Sequence, residues 1–167
     1  MQSKELLTQD QLAALGCVAV ESSLTESIVD QIILKLSGMK REKLDHFMAG
    51  KMMDGRITTL EFLGLTALKS AKRKAEFKKV IGELRHANSG RVSVIHGVWR
   101  KGPQGMIIPE AERVAKAVNL KNKKSLPVSA TKIEKIAIEL SNSSSDLVLF
   151  AYKAWFKSHL AKKRRSK

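Results

Sequence analysis

The chain has 167 residues, of which 31 are Lys or Arg and 16 are Asp or Glu, so its formal net charge is +15. A hydrophobic share of 43% excludes a chain that is disordered throughout, and an aromatic share of 5% with three prolines disfavours an all-β sandwich. A single cysteine excludes an internal disulfide framework, and the excess of positive charge favours a polyanionic partner, either a nucleic acid or an acidic membrane surface.

The N-terminal part predicts one long helix. Thr8 is a suitable N-cap, apolar residues then recur at helical spacing as far as Leu36, and Gly38 ends the run. The apolar stretch 12–33 is interrupted by three carboxylates, so we expect it not to span a membrane. The N-terminus has no apolar signal-peptide core, and a cytoplasmic location is therefore the expectation.

Two shorter helical segments are predicted next. The first covers 41–52, and Asp54-Gly55 is a turn signal after it. The second is expected to open at Thr58 or Thr59.

A further helix is predicted from Ser70 to Ala87, with an interruption at 88–90. One of its faces is apolar and the other carries only one acid, Glu76. The cations on or beside that face are Lys69, Lys72, Arg73, Lys74, Lys78 and Lys79. A solvated helix surface would explain some of them, but the imbalance favours a face that meets phosphates.

The remainder predicts an irregular excursion and a closing helix. Glycines, prolines and lysines over 100–127 indicate a loop that contains a hairpin, with a short helix around 110–118. Ser129 is the expected N-cap of the last helix. The fold class is therefore mostly α, a helical bundle with one long irregular or hairpin-containing loop between its last two long helices. We expect a single domain over 1–160 and a disordered basic tail over 161–167.

Common enzyme motifs are absent from the sequence. The four histidines lack metal-site spacing, and neither a phosphate-binding Gly-Lys-Ser/Thr loop nor a Gly-x-Ser-x-Gly elbow occurs. Cys17 is flanked by apolar residues, which predicts a buried structural thiol. We therefore expect no metal site and no cofactor.

The pair Arg91 and His96 carries the remaining chemistry. The two residues are five positions apart, which on a helix corresponds to about 140° of rotation and about 7.5 Å of rise, and a long arginine can bridge that separation. An imidazole can act as general base on an RNA 2′-hydroxyl, and a guanidinium can bind the phosphate oxygens as charge develops. This route to cleavage needs no metal.

An Arg, four to six residues and then a His near the end of a late helix resembles the signature of HEPN domains (higher eukaryotes and prokaryotes nucleotide-binding). The run His96-Gly97-Val98-Trp99 is similar to one bacterial subset. The resemblance extends loosely over most of the chain and includes a long first helix with an internal glutamate, here Glu21. This chain differs from the family at Val92, where the family usually has a polar residue.

The resemblance implies a metal-independent RNA endonuclease of the toxin or defence type, with Arg91 and His96 as the catalytic pair. It also implies a homodimer with both motifs in one cleft, and a cognate antitoxin or partner protein. Two alternatives stay open: a non-catalytic HEPN-like module that binds a protein or nucleic acid, and a basic helical DNA-binding protein. RNA is the expected partner and a membrane is not. The expected nucleic-acid contacts are Lys69, Lys72, Arg73, Lys78, Lys79, Arg85, Asn88, Arg100 and Lys101.

Overall fold

The computed structural model describes residues 7–95, 98–101, 107–110 and 128–157. Its first helix, α1, covers Gln9–Ser37. Thr8 and Gln11 form a capping box, in which the backbone N–H of Gln11 donates to Thr8 Oγ1 at 3.1 Å and the backbone N–H of Thr8 donates to Gln11 Oε1 at 2.9 Å. Gly38 ends the helix with a φ of 66°, a left-handed conformation that favours glycine. Both predicted ends of α1 are confirmed.

The two shorter helices differ from the sequence prediction. Helix α2 covers Arg41–Met48 and ends earlier than expected, whereas α3 covers Met53–Ala67 and begins earlier. Asp54 and Gly55 lie in the first turn of α3, so their reading as a turn between helices was wrong. An aspartate is favourable there because the helix N-terminus carries partial positive charge.

Helix α4 covers Ala71–Ile95 without a break, so the expected interruption at 88–90 was also wrong. Gly90 lies inside this helix, where glycine costs about 1 kcal/mol relative to alanine. A Cβ at Gly90 would lie 3.4 Å from Ile136 Cγ1 on the closing helix. This is an ordinary packing distance, and the buried contacts of Ala87 and Val94 with the closing helix keep α4 continuous through Gly90 despite its weak helix propensity.

The expected hairpin is present after α4. Strand β1 (Val98–Lys101) pairs antiparallel with β2 (Ile107–Glu110), and Val98 lies opposite Glu110. Most of the short helix predicted around 110–118, and the tail 161–167, lie outside the described residues.

The closing helix, α5, covers Ala130–Ala151 and continues as a π-helical turn, Tyr152–Phe156. Ser129 caps it as predicted, with its side chain accepting from the N–H of Lys132 at 3.2 Å. The serines at 143–145 do not interrupt the helix. The Ser143 hydroxyl donates to Leu140 O at 3.0 Å, so this buried group is paired within its own helix.

The four longer helices form a bundle. Helices α1 and α4 each pack mainly against α3 and α5 and occupy opposite corners of the bundle, where they also contact each other to a smaller extent. One apolar cluster joins Val29 of α1 to Leu147 of α5, and a second joins Val18 to Ile133, so α1 and α5 run in the same direction. The prediction of a mostly α-helical bundle is confirmed.

A polar layer separates the two clusters along α1 and α5. It contains Thr25, Ser143 and Ser144, all of them buried. Each hydroxyl donates to a carbonyl of its own helix, Thr25 to Glu21 O at 2.7 Å. Because the layer is satisfied locally, it divides the core without leaving these hydroxyl groups unpaired.

Helix α1 is long and apolar enough, by length and composition alone, to cross a membrane. Only 22% of its most apolar part is buried, although α1 packs on three neighbouring helices. Cys17 lies on its outer side and is exposed. The expectation of a buried thiol was wrong because Val18 faces the core about 100° away around the helix, whereas Cys17 and the exposed Val20 lie on the outer side.

Candidate nucleic-acid interface

The first half of α4 carries exposed cations and little opposing charge. Its first turn contains no acid, and its early cations are the exposed Lys72 and Arg73 and the half-buried Lys74. Cations near a helix N-terminus interact unfavourably with the helix dipole. A bound anion would offset this unfavourable interaction of the cations with the helix dipole.

The cations follow two rows rather than one face. Residues seven apart on a helix lie about 20° from each other, so Lys72 and Lys79 share one row. Lys78 and Arg85 share another, on the side of α4 that faces α3, as the contacts of Arg85 show. Lys69 precedes the helix and is exposed. The single basic face that the sequence predicts is thus divided.

Lys153 extends the row of Lys72 and Lys79 on the side of α5, and the sequence analysis did not identify it. Arg73 Nη1 donates to the main-chain oxygen of Lys153 at 3.1 Å, which ties the start of α4 to the π-helical turn. A cavity of about 280 Å³ opens beside this contact. It is lined by Ser70, Lys72, Arg73, Glu76, Phe150 and Lys153. Lys153 is 80 positions from Arg73, so no local signal could have found it.

Arg85 lies in an ion-pair cluster between α4 and α3. Its guanidinium is 3.0 Å from Asp54 Oδ1 and 2.9 Å from Glu61 Oε2, and it also donates to Thr58 Oγ1 at 3.2 Å. Two carboxylates compensate its charge. The structure therefore places Arg85 as a tie between helices, not as a cation that faces solvent for a phosphate.

Asn88 is 5% exposed, and its Oδ1 has no hydrogen-bond partner among the residues that the structure describes. It lies on the inner side of α4, one residue after the buried Ala87. A nucleic-acid contact needs an accessible amide, so the expected role of Asn88 does not fit its position. Arg100 and Lys101 belong to β1, opposite Ile108 and Ile107.

Arg91 is the described member of the predicted catalytic pair, and His96 lies outside the described residues. The Arg91 side chain is half-buried and crosses to α1, where Nη1 donates to Ser22 Oγ at 3.0 Å. This contact holds the guanidinium in place. Ser22 is 69 positions away in the chain, and nothing in its local sequence marks it.

A second groove, of about 520 Å³, lies between α4 and α5. It is lined by Lys79, Gly82, Glu83, His86, Ala87, Glu139, Asn142, Ser143 and Asp146. Its acids give it the opposite character to the cavity beside Arg73. Over 7–95, 98–101, 107–110 and 128–157, no group of three or more His, Cys, Asp or Glu residues could hold a metal ion.

Comparisons with models of protein families, with curated proteins and with solved structures find no match to this chain.

Proposed function

We propose that this chain is an RNA-binding helical domain of the HEPN type that cleaves RNA without a metal. The observation that carries the proposal is the exposed cation set of α4, in a chain of net charge +15. Such a surface binds a polyanion through its phosphates, largely without reading sequence.

The choice of RNA over other polyanions rests on the resemblance of Arg91 and His96 to the HEPN signature. The tether from Arg91 to Ser22 supports this assignment, because a guanidinium held at 3.0 Å by a hydroxyl is positioned before a substrate arrives. A positioned cation can stabilise charge on a phosphate as it develops, which a freely moving one does less well.

The proposed reaction is internal transesterification. The imidazole of His96 takes the proton from an RNA 2′-hydroxyl, whose oxygen attacks the adjacent phosphorus while the bond to the 5′-oxygen breaks. The leaving oxygen receives a proton from the imidazolium, directly or through water. The products are a 2′,3′-cyclic phosphate and a 5′-hydroxyl. Arg91 binds the non-bridging oxygens of the phosphate as their charge increases.

The test is RNA cleavage by the purified full chain in EDTA. Wild type, His96→Ala, Arg91→Ala and a control, Arg41→Ala, are compared; Arg41 is exposed and pairs only with Asp45, at 3.1 Å, among the described residues. We expect 2′,3′-cyclic ends from wild type and the control and none from the other two. Cleavage that persists in His96→Ala would overturn the catalytic assignment.

The second candidate function is RNA binding without cleavage. It is favoured by Val92, an exposed apolar side chain next to Arg91 where HEPN domains usually have a polar residue. RNA that is bound but stays intact would select it. Competition between RNA and DNA at moderate salt tests the third alternative, because a DNA-binding protein would show no preference for RNA.

A further inference from the structure

The cavity beside Arg73 has a size and a lining that suit a small ligand. Its volume of about 280 Å³ lies just below the roughly 300–1,000 Å³ of small-molecule sites. It opens where the start of α4 meets the end of α5, and its lining comes from α4, α5 and the π-helical turn. A concave site of this volume holds a small molecule or a single chemical group, whereas a length of polymer needs an open surface.

The lining carries more positive charge than the protein itself compensates. Lys72, Arg73 and Lys153 supply three cations and Glu76 supplies one carboxylate, so the net charge of the lining is +2. None of these four side chains forms an ion pair within the part of the chain that the structure describes. Cations that converge on one cavity repel each other, and a bound anion removes that repulsion. A phosphate monoester carries about −1.5 to −2 at pH 7 and therefore matches the lining, whereas a phosphodiester carries a single charge.

The side-chain donors at the cavity also suit a phosphate group. Arg73 Nη1 donates to Lys153 O at 3.1 Å, a contact that fixes the position of the guanidinium. The other N–H groups of this guanidinium donate to no atom of the described residues, so they are available to a ligand. A planar guanidinium can bind two oxygens of one phosphate at the same time. The hydroxyl of Ser70, which also lines the cavity, adds a neutral donor.

The backbone at the start of α4 supplies further donors. The N–H of Lys74 donates to Ser70 O at 3.0 Å, so the N–H groups of residues 71–73 precede the first full helical hydrogen bond. Free N–H groups at this end of a helix favour an anion. The π-helical turn is an independent sign of a site, because such turns occur frequently at functional sites, and here the turn carries Lys153.

We propose that this cavity binds a small phosphate monoester, with the phosphate against its three cations and the organic group against the ring of Phe150. That ring stacks on Phe77, with centroids 5.2 Å apart, and Phe77 is fully buried. Phe150 therefore forms a fixed apolar wall of the cavity. The proposal is independent of RNA cleavage.

The end of an RNA strand has the same monoester chemistry but fits the surroundings of the cavity less well. Arg91 is five helical turns from Arg73, or about 27 Å along α4. The groove of about 520 Å³ lies between them on the side of α5, and it contains the carboxylates of Glu83, Glu139 and Asp146. A strand that ran along this side from the cavity to Arg91 would pass acids that repel its phosphates. A small ligand makes no such passage.

The test is a titration of the isotope-labelled full chain with phenyl phosphate, followed by the NMR shifts of its backbone amides. We expect saturable shifts at residues 70–76 and 150–156. Lys72→Gln and Lys153→Gln should each raise the dissociation constant by on the order of 10-fold, because each removes a charged hydrogen-bond donor. The matched control is Lys132→Gln, which removes the same charge from the first turn of α5, at the other end of that helix, and should bind like wild type.

Three comparisons make the titration decisive. Dimethyl phosphate and acetate at equal ionic strength should bind on the order of 10-fold more weakly than phenyl phosphate, since each carries one charge. Absence of saturable shifts would overturn the proposal, and so would a loss of affinity in Lys132→Gln as large as in Lys72→Gln, because screening of the whole surface would then explain the shifts. A terminal phosphate that strengthens RNA binding in wild type but not in Lys72→Gln would assign the cavity to a strand end instead. The titration contains no RNA, so failure of RNA cleavage leaves its result unchanged.

Discussion

Phe77 on α4 lies so close to Gly64 on α3 that a Cβ at residue 64 would be 2.3 Å from Cε1 of the ring. Phe77 is fully buried and stacks on Phe150 of α5, with ring centroids 5.2 Å apart. Its ring thereby joins three helices of the bundle. Only a glycine at 64 leaves room for this ring, so Gly64 sets the approach of α3 to α4.

Gly64→Ala should therefore destabilise the protein by about 2 kcal/mol, because the ring cannot yield without disturbing Phe150. Gly82→Ala is the matched control. It is also a helical glycine, but a Cβ there would meet no atom of the described residues within 4 Å. The control should gain about 0.5–1 kcal/mol from helix propensity alone. Urea unfolding measures both, and equal effects of the two substitutions would contradict the packing account.

The ion pair between Arg56 and Asp30 is mostly enclosed, with side chains that are 13% and 16% exposed. Arg56 Nε also lies 3.0 Å from Glu26 Oε1. Arg56→Ala leaves both carboxylates without their cation and should cost about 3 kcal/mol. Arg41→Ala removes an exposed pair with Asp45 and should cost less than about 0.5 kcal/mol. Urea midpoints of the two variants measure both losses of stability. Similar losses would show that burial does not determine how much these ion pairs contribute to stability.

Substitutions of Asn88 distinguish a structural role of the middle of α4 from a role in RNA binding. Its buried Oδ1 accepts no hydrogen bond from the described part of the chain, so Asn88→Leu, which keeps a similar shape, should raise the free energy of unfolding by about 1 kcal/mol. Asn88→Asp would place a carboxylate at the same point and should destabilise. Neither change should alter RNA affinity while the protein stays folded. A fall in affinity with Asn88→Leu would restore the nucleic-acid role that the sequence suggests.

Lys78 and Arg85 share one row of α4 but should behave differently. Lys78→Ala should weaken RNA binding and lower the salt dependence by about one counterion, as expected for a phosphate contact. Arg85→Ala should leave affinity nearly unchanged and cost about 1 kcal/mol of stability, because its partners are Asp54 and Glu61. Fluorescence anisotropy at several salt concentrations measures binding, in a His96→Ala background that prevents cleavage.

The helix caps provide a local test. Ser129 caps α5 through its side chain, so Ser129→Ala should cost about 1 kcal/mol. Lys40 is the N-cap of α2 and makes no side-chain cap hydrogen bond. Lys40→Asp should add the missing acceptor and a favourable charge, and should stabilise by about 0.5–1 kcal/mol. A thermal or urea scan that shows no gain would mean that α2 contributes little to the cooperative unit.

Local signals in the sequence determined the class of fold and several helix ends. Thr8, Gly38 and Ser129 act through atoms no more than four residues away, so their roles can be inferred without tertiary structure. The hairpin after α4 was also predictable from turn residues. Helix starts that depend on weaker cues, as at Met53, were not.

Contacts between distant parts of the chain decided which side chains are buried, which are paired and which are exposed. Cys17 is exposed and Asn88 is buried because the packing of neighbouring helices selects which side of each helix faces inward, and the residues next to them in sequence do not. Arg85 became an interhelical tie because α3 brings two carboxylates to it. The sequence determined that the chain is a basic helical bundle, and only the tertiary structure decided which cations are free to meet a partner. The reason is physical: a charge is available only when no opposite charge lies within reach, and that depends on residues far away in the chain.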